Sequence, residues 1–282
     1  MKKLALALAA TAAFAGQAIA ADLAVKAARP APPPVQVANW TGCYIAGSVG
    51  YGLFDNETSG FDSSGVFTGV PGSQLTGRTD FGGRGWLAGG GGGCDYQFGL
   101  GGGGGIFGTG QFVIGFLGDY YWSDMRGNRS SPVGSLFAGA VSGQEKVDSQ
   151  WAIGGRIGWL VNPNTLTYFS GGYTEAHLDG VGDFFTPLLG GGFLGVSLPG
   201  RTVRGYFLGG GVEYQSGWIP GLTWKTEYRF SEYDRVNRAE FFNTPPIVPT
   251  GTFSSDKLFT QTVMTSLVYR FNFGGAPLVA KY

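Results

Sequence analysis

The chain has 282 residues, 53 of them glycine, and only 13% carry charge. The glycine share is more than twice the usual ~7% and the charged share about half the usual ~25%, while 15% aromatic residues exclude a disordered Gly/Pro segment, which would lack them. So little charge leaves a water-soluble domain short of polar cover, and 19 basic against 19 acidic residues give no basic excess for nucleic acid.

Lys2 and Lys3, the apolar run from Leu4 to Gly16, and Ala18-Ile19-Ala20 follow the order of a cleaved secretory signal over residues 1–20. The apolar run is short of the ~20 residues that a membrane-spanning helix needs. Cleavage removes both lysines and leaves 17 basic residues against 19 acidic ones. Residues 21–39 contain Arg29-Pro30-Ala31-Pro32-Pro33-Pro34, a density of proline that favours an extended, semi-rigid tether. Beyond the signal no stretch reaches 18 consecutive apolar residues, so any membrane crossing falls to strands.

From Trp40 onward, stretches of ten to fifteen residues alternate with period two, the pattern of strands with one face in lipid and the other in a lumen. The first, Trp40 to Tyr51, sends Cys43, Ile45, Val49 and Tyr51 outward and Tyr44 and Ser48 inward. The second, Trp86 to Phe98, points Cys94, Tyr96 and Phe98 out and Asp95 and Gln97 in. The third, Gln111 to Trp122, places Phe112, Ile114, Phe116 and Tyr120 outside and Asp119 inside, and the fourth, Ser149 to Val161, sets Ile153, Ile157 and Trp159 against inward Arg156. In the fifth, Thr165 to Leu178, either Phe169 and Tyr173 or Tyr168 and Thr174 face outward. The sixth, Thr202 to Gln215, turns Glu213 in; the seventh, Leu222 to Tyr233, alternates Trp224, Tyr228 and Phe230 with Lys225, Glu227 and Arg229; the eighth, Leu258 to Phe273, turns Arg270 in. Eight is an even number, as single-chain bacterial barrels require.

Connection lengths sort in the same way. Long links are expected at 52–85, 123–148, 179–201 and 234–257, and short ones at Asn162-Pro163-Asn164 and Ser216 to Gly221. Long outer loops alternating with short periplasmic turns are the asymmetry of an outer-membrane barrel; the Gly-rich connection from Gly99 to Gly110 is longer than that rule predicts. The fold expected is all-β, an eight-stranded antiparallel up-and-down transmembrane barrel over residues 40–273, with a tail at 274–282.

The inward charges balance: Asp95, Asp119, Glu213 and Glu227 against Arg156, Lys225, Arg229 and Arg270. An unpaired buried charge costs several kcal/mol, and eight strands leave a lumen just wide enough for side chains to fill. A plugged interior is therefore expected.

Trp40-Thr41-Gly42-Cys43-Tyr44, Gly211-Val212-Glu213-Tyr214, Trp224-Lys225-Thr226-Glu227-Tyr228 and Leu267-Val268-Tyr269-Arg270-Phe271, taken in order, resemble the small outer-membrane barrels of alphaproteobacteria. These are the outer-membrane immunogenic or porin-family proteins, with an OmpA-like transmembrane barrel. The resemblance covers the chain from about Trp40. It departs at Cys43, where the family has an aromatic, and at Leu117 and Gly154, where the family often has a further inward acid and arginine. It implies a Gram-negative outer-membrane location among lipid and lipopolysaccharide. It also implies recognition of the last strand by the barrel-assembly machinery through Tyr269, Phe271 and Phe273.

Cys43 and Cys94 are the two cysteines. In an oxidising compartment they form either a cross-strand disulfide or two small apolar thiols. The Gly89–Gly93 run has no following Gly-Lys-Ser/Thr, so it does not read as a phosphate loop. His177 is the single histidine, too little for a catalytic base with a positioned nucleophile or for a metal centre. No enzyme activity and no cofactor are expected. The leading function is a structural barrel that supports the envelope and presents surface loops, with Phe241-Phe242, Arg235 and Arg238 in a loop open to host or phage ligands. A narrow channel for small solutes and a surface binder of haem or a host component are the alternatives.

Overall fold

The computed structural model describes residues 39–99, 108–130, 141–185, 196–217, 219–242 and 245–271. The expected signal, nearly all of the tether, Phe273 and the tail lie outside these residues, as does most of the Gly-rich connection. Eleven strands run through the described chain: β1 (Gly42–Asp62), β2 (Thr79–Gly99), β3 (Gln111–Ser130), β4 (Val141–Asn162), β5 (Thr165–Leu178), β6 (Val181–Phe185), β7 (Val196–Leu198), β8 (Arg201–Gln215), β9 (Leu222–Tyr233), β10 (Val236–Phe242) and β11 (Pro249–Phe271). Eight of them pair antiparallel in the order β1-β2-β3-β4-β5-β8-β9-β11, and β11 pairs back onto β1. The sheet therefore closes on itself.

Outward side chains define a band. Tyr51, Trp86, Tyr120, Trp122, Tyr173, Tyr206 and Tyr228 form an exposed aromatic ring toward the long connections, and Tyr96, Tyr214, Trp224, Tyr269 and Phe271 form another near the short turns. Between them Ile45, Val49, Ile114, Ile153, Ile157, Leu208, Val263 and Leu267 are exposed. From Tyr269 to the outer end of β11's apolar face the strand rises ~25 Å, the height of an outer-membrane apolar band between its aromatic girdles. Phe169 and Tyr173 of β5 face outward, while Tyr168 and Thr174 are buried inside, which resolves the two facings left open by the sequence.

The strands outrun the band, so the outer connections are shorter than expected: β1 continues to Asp62, β2 begins at Thr79, and β3 and β4 reach Ser130 and Val141. Above the outer ring the outward residues turn polar, as at Asp55, Arg84, Asp124, Arg126 and Arg204, so the lipid-facing signature stops there although the ladder does not.

Three neighbouring strands bend at the outer edge of the band. Between the pairs Glu232↔Phe259 and Val236↔Asp256, three residues (Tyr233, Asp234, Arg235) face two (Lys257, Leu258). A one-residue bulge of this kind shifts alternation by one. Asp234 and Arg235 are both exposed, and Arg238 and Glu240 turn inward. The same change of phase occurs at Asp179-Gly180, between inward Leu178 and Val181, and at Pro199-Gly200, between inward Leu198 and Arg201. The expectation of a surface loop carrying Arg235, Arg238 and Phe241-Phe242 is corrected accordingly: Arg238 and Phe241-Phe242 belong to β10, Arg235 stands exposed just before it, and Arg238 is buried in the lumen.

Candidate functional site

The lumen is filled in layers. Nearest the short turns, Asp95 of β2, Arg156 of β4, Glu213 of β8 and Arg270 of β11 form a closed ring. Arg156 donates from Nε to Asp95 Oδ1 at 2.8 Å and from Nη1 to Glu213 Oε2 at 3.0 Å, with a further close contact to Asp95. Arg270 donates from Nη1 to Asp95 Oδ2 at 2.6 Å and from Nη2 to Glu213 Oε1 at 3.1 Å. All four side chains are buried. Charge-assisted bonds shared by two acids and two arginines satisfy groups that would be costly alone.

Aromatic rings seal this layer. The Tyr44 ring lies 4.7 Å from the Arg156 guanidinium carbon and 5.1 Å from that of Arg270. Trp40, fully buried, stacks on Arg270 at 5.3 Å, and its carbonyl accepts from Arg270 Nη1 at 2.8 Å. Its indole N–H donates to the Pro163 carbonyl at 3.3 Å, so Trp40 covers the mouth on the side of the short turns. Glycine makes room for the packing: a Cβ at Gly93 would sit 2.7 Å from the Tyr44 hydroxyl.

One level higher, Arg229 grips Asp119 bidentately, both N···O distances being 2.8 Å, and also donates to Glu227 Oε1 at 2.9 Å. Lys225 lies 3.6 Å from Glu227. Tyr168 links the two levels, donating its hydroxyl to Glu227 Oε2 at 2.7 Å while its ring lies under Arg156 at 5.1 Å. Leu117 and Gly154 lie against the fully buried Phe207, on which Arg229 stacks at 4.3 Å.

A third level is apolar, with Phe54, Leu87, Tyr121, Met125, Val147, Leu178, Val203, Tyr233, Leu258 and Met264 in one cluster. Above it, beyond the membrane band, lies a second charged layer. Asp256 accepts from Arg201 Nη1 at 2.6 Å and from the Thr58 hydroxyl at 2.6 Å. Glu145 accepts from Arg238 Nη1 at 2.8 Å and from Asn56 at 3.1 Å. Arg129 lies 3.5 Å from Glu145 and 3.4 Å from Asp256, and Thr252 donates to Glu240 at 2.9 Å. Three arginines face three acids. The sequence reading missed this layer, although its signal was present: Met125, Gly127 and Arg129 continue the alternation of β3.

Cys43 and Cys94 stand opposite each other in the β1–β2 register and are joined by a disulfide. Tyr269 and Phe271 face outward in edge-to-face contact at 5.1 Å. His177 is exposed on the outer face of β5, 3.1 Å from the Thr202 hydroxyl. Among the described residues no group of three or more His, Cys, Asp or Glu side chains is placed to hold a metal.

No protein-family model matches the chain. It is 27% identical over 270 residues to the 31 kDa outer-membrane immunogenic protein of Brucella melitensis and, to the same degree, to that of Brucella suis, covering 92% of this chain and 95% of theirs. The chain is a Gram-negative outer-membrane β-barrel protein. Solved barrels are similar in fold class. Ail of Yersinia pestis has a TM-score of 0.28 at 12% identity, over 79% of this chain and 99% of that one. OprG of Pseudomonas aeruginosa has a TM-score of 0.40 at 10% identity, over 82% and 97%. Likeness at these scores carries no weight for function. The outer-membrane barrel's long connections lie outside and its short turns in the periplasm.

Proposed function

We propose that this barrel is a closed structural element of the outer membrane. Its lumen is plugged by ion pairs and its outer end presents loops, without catalysis or a cofactor. The observation that carries the reading is the ring Asp95–Arg156–Glu213–Arg270 under Trp40, in which each charge meets its opposite and each side chain is buried. In this reading residues 1–20 are removed, 21–39 tether the barrel on the periplasmic side, and 274–282 trail from its last strand. The outward pair Tyr269 and Phe271 serves the assembly machinery, and replacing both by alanine slows insertion.

Reconstitution of the mature protein, its mass beginning at Ala21, into a planar bilayer tests the plug. No stable conductance is expected. Steady single-channel openings that change with Arg156→Ala would replace the plug by a channel.

A further inference from the structure

β2 contains five consecutive glycines, Gly89 to Gly93, which face Ser48, Gly47, Ala46, Ile45 and Tyr44 of β1 in that order. A glycine offers its neighbour no side chain, and strands rich in it hold their register weakly. A slip of two residues keeps inward side chains inward and outward ones outward. After such a slip Tyr44, Ile45 and Ala46 would meet Gly91, Gly90 and Gly89, again finding only glycine. The run has no room for side chains that would mark the pairing: a Cβ at Gly90 or Gly92 would lie 2.7 Å from the carbonyl oxygen of Ala46 or Tyr44.

Two cross-strand pairs bracket the run. At its outer end the rings of Tyr51 and Trp86 meet edge to face at 5.2 Å, a contact that opposes a slip without forbidding it. At its inner end Cys43 is bonded to Cys94, the residue that follows Gly93. A bond between directly opposed cysteines is compatible with one register only, because a slip carries their Cα atoms out of bridging range.

The same bond stands where it cannot be made late. Cys43 and Cys94 lie in an outward row between their other cross-strand partners, Phe271 and Phe116. Both phenylalanines are exposed on the wall, and Phe271 belongs to the inner aromatic ring, so in the finished barrel the two sulfurs face lipid. Thiol–disulfide exchange needs a thiolate and an attacking partner with access to it. A water-borne oxidant finds neither among acyl chains.

We infer that oxidation of Cys43 and Cys94 is a step that precedes insertion, and that it selects the β1–β2 register across the glycine run. The oxidant is a disulfide in the aqueous compartment on the periplasmic side. One cysteine thiolate attacks it to form a mixed disulfide, and the other cysteine displaces that bond. The Sγ–Sγ bond forms, the oxidant's S–S bond breaks, and the oxidant leaves as thiols that carry the two electrons and, once protonated, the two protons.

The test uses the full mature chain, unfolded in urea and diluted into phosphatidylcholine vesicles, with oxidised glutathione as the oxidant. Glutathione added before the vesicles should close the bond. Added to the reduced chain after insertion, it should act at least tenfold more slowly, as read by maleimide labelling of free thiols after denaturation. For register, Cys43→Val combined with Cys94→Val keeps an apolar cross-strand pair without the bond. With isotope-labelled glycine, the oxidised parent in nanodiscs should give one set of amide resonances for Gly89 to Gly93, and the variant more than one. Equal oxidation rates before and after insertion would overturn the timing, and a variant with the parent's single set would overturn the selection of register. A variant or reduced chain that forms no barrel would also sink the inference, because the bond would then supply the stability of the wall rather than choose its pairing.

Discussion

Arg156 touches acids on two other strands, Asp95 and Glu213, whose other arginine partner is Arg270. Truncation to alanine leaves Asp95 and Glu213 sharing Arg270 alone, and removing one partner of a buried pair costs about 3–5 kcal/mol. Urea unfolding of Arg156→Ala in lipid vesicles should show a loss of that size. Combining it with Asp95→Asn should recover part of it, and strictly additive losses would show that the two groups are not coupled. Single residues were legible where outward neighbours were large: Lys225, Glu227 and Arg229 alternate with Trp224, Tyr228 and Phe230. Their partners were not legible. That Arg229 meets Asp119, 110 residues earlier, depends on which side chain spans the lumen, and period-two patterning does not encode that.

Single elements show where the pattern stops being a guide. Past the outer girdle a strand needs no apolar face, so β1 to β4 and β11 read as loops although their ladders continue. In β10 the bulge at Asp234-Arg235 reverses the facing of everything after it. Deleting Arg235 removes the extra residue and keeps Arg238 and Glu240 inward, whereas deleting Asn237, past the bulge, turns both outward and deprives Glu145 of an arginine. In the second variant the outer layer should become open to protease added to intact cells, while the membrane-level strands stay protected; equal resistance of the two variants would argue that residue count at the bulge does not set the facing. The loop after β1 makes a separate prediction. Burial opposes the charge of Asp62, yet the N–H groups of Thr68, Gly65 and Phe67, with the Thr68 hydroxyl, outweigh it and hold its carboxyl at about 2. A folded value below the ordinary 3.8 means that this carboxylate supports the loop fully above that pH and ceases to as pH falls through about 2. The amide resonances of Phe67 and Thr68 should hold their positions down to about pH 4 and move together below it. Movement centred near neutral pH would rule this out.

Among the described residues the ion-paired layers of the lumen form separate neutral sets: two acids and two bases at the periplasmic mouth, two and two above them, and three and three beyond the membrane. The barrel and its closure were legible from alternation, strand number and the sorting of connections. The outer charged layer was missed: its inward residues keep period two, as Met125, Gly127 and Arg129 do, but no apolar outward face marks them there. Closure has a consequence of its own. β1 and β11 are joined from Cys43↔Phe271 to Asp62↔Thr252, so the points where the strand path enters and leaves the wall are neighbours. To the folded wall, the place where translation starts is arbitrary. A gene rearranged to begin at Thr165 and end at Asn164, with a linker from Phe271 to Asn39 that keeps Trp40, should insert and fold to the same closed barrel. If it does not, then emergence of the last strand at the end of synthesis is itself an instruction for assembly.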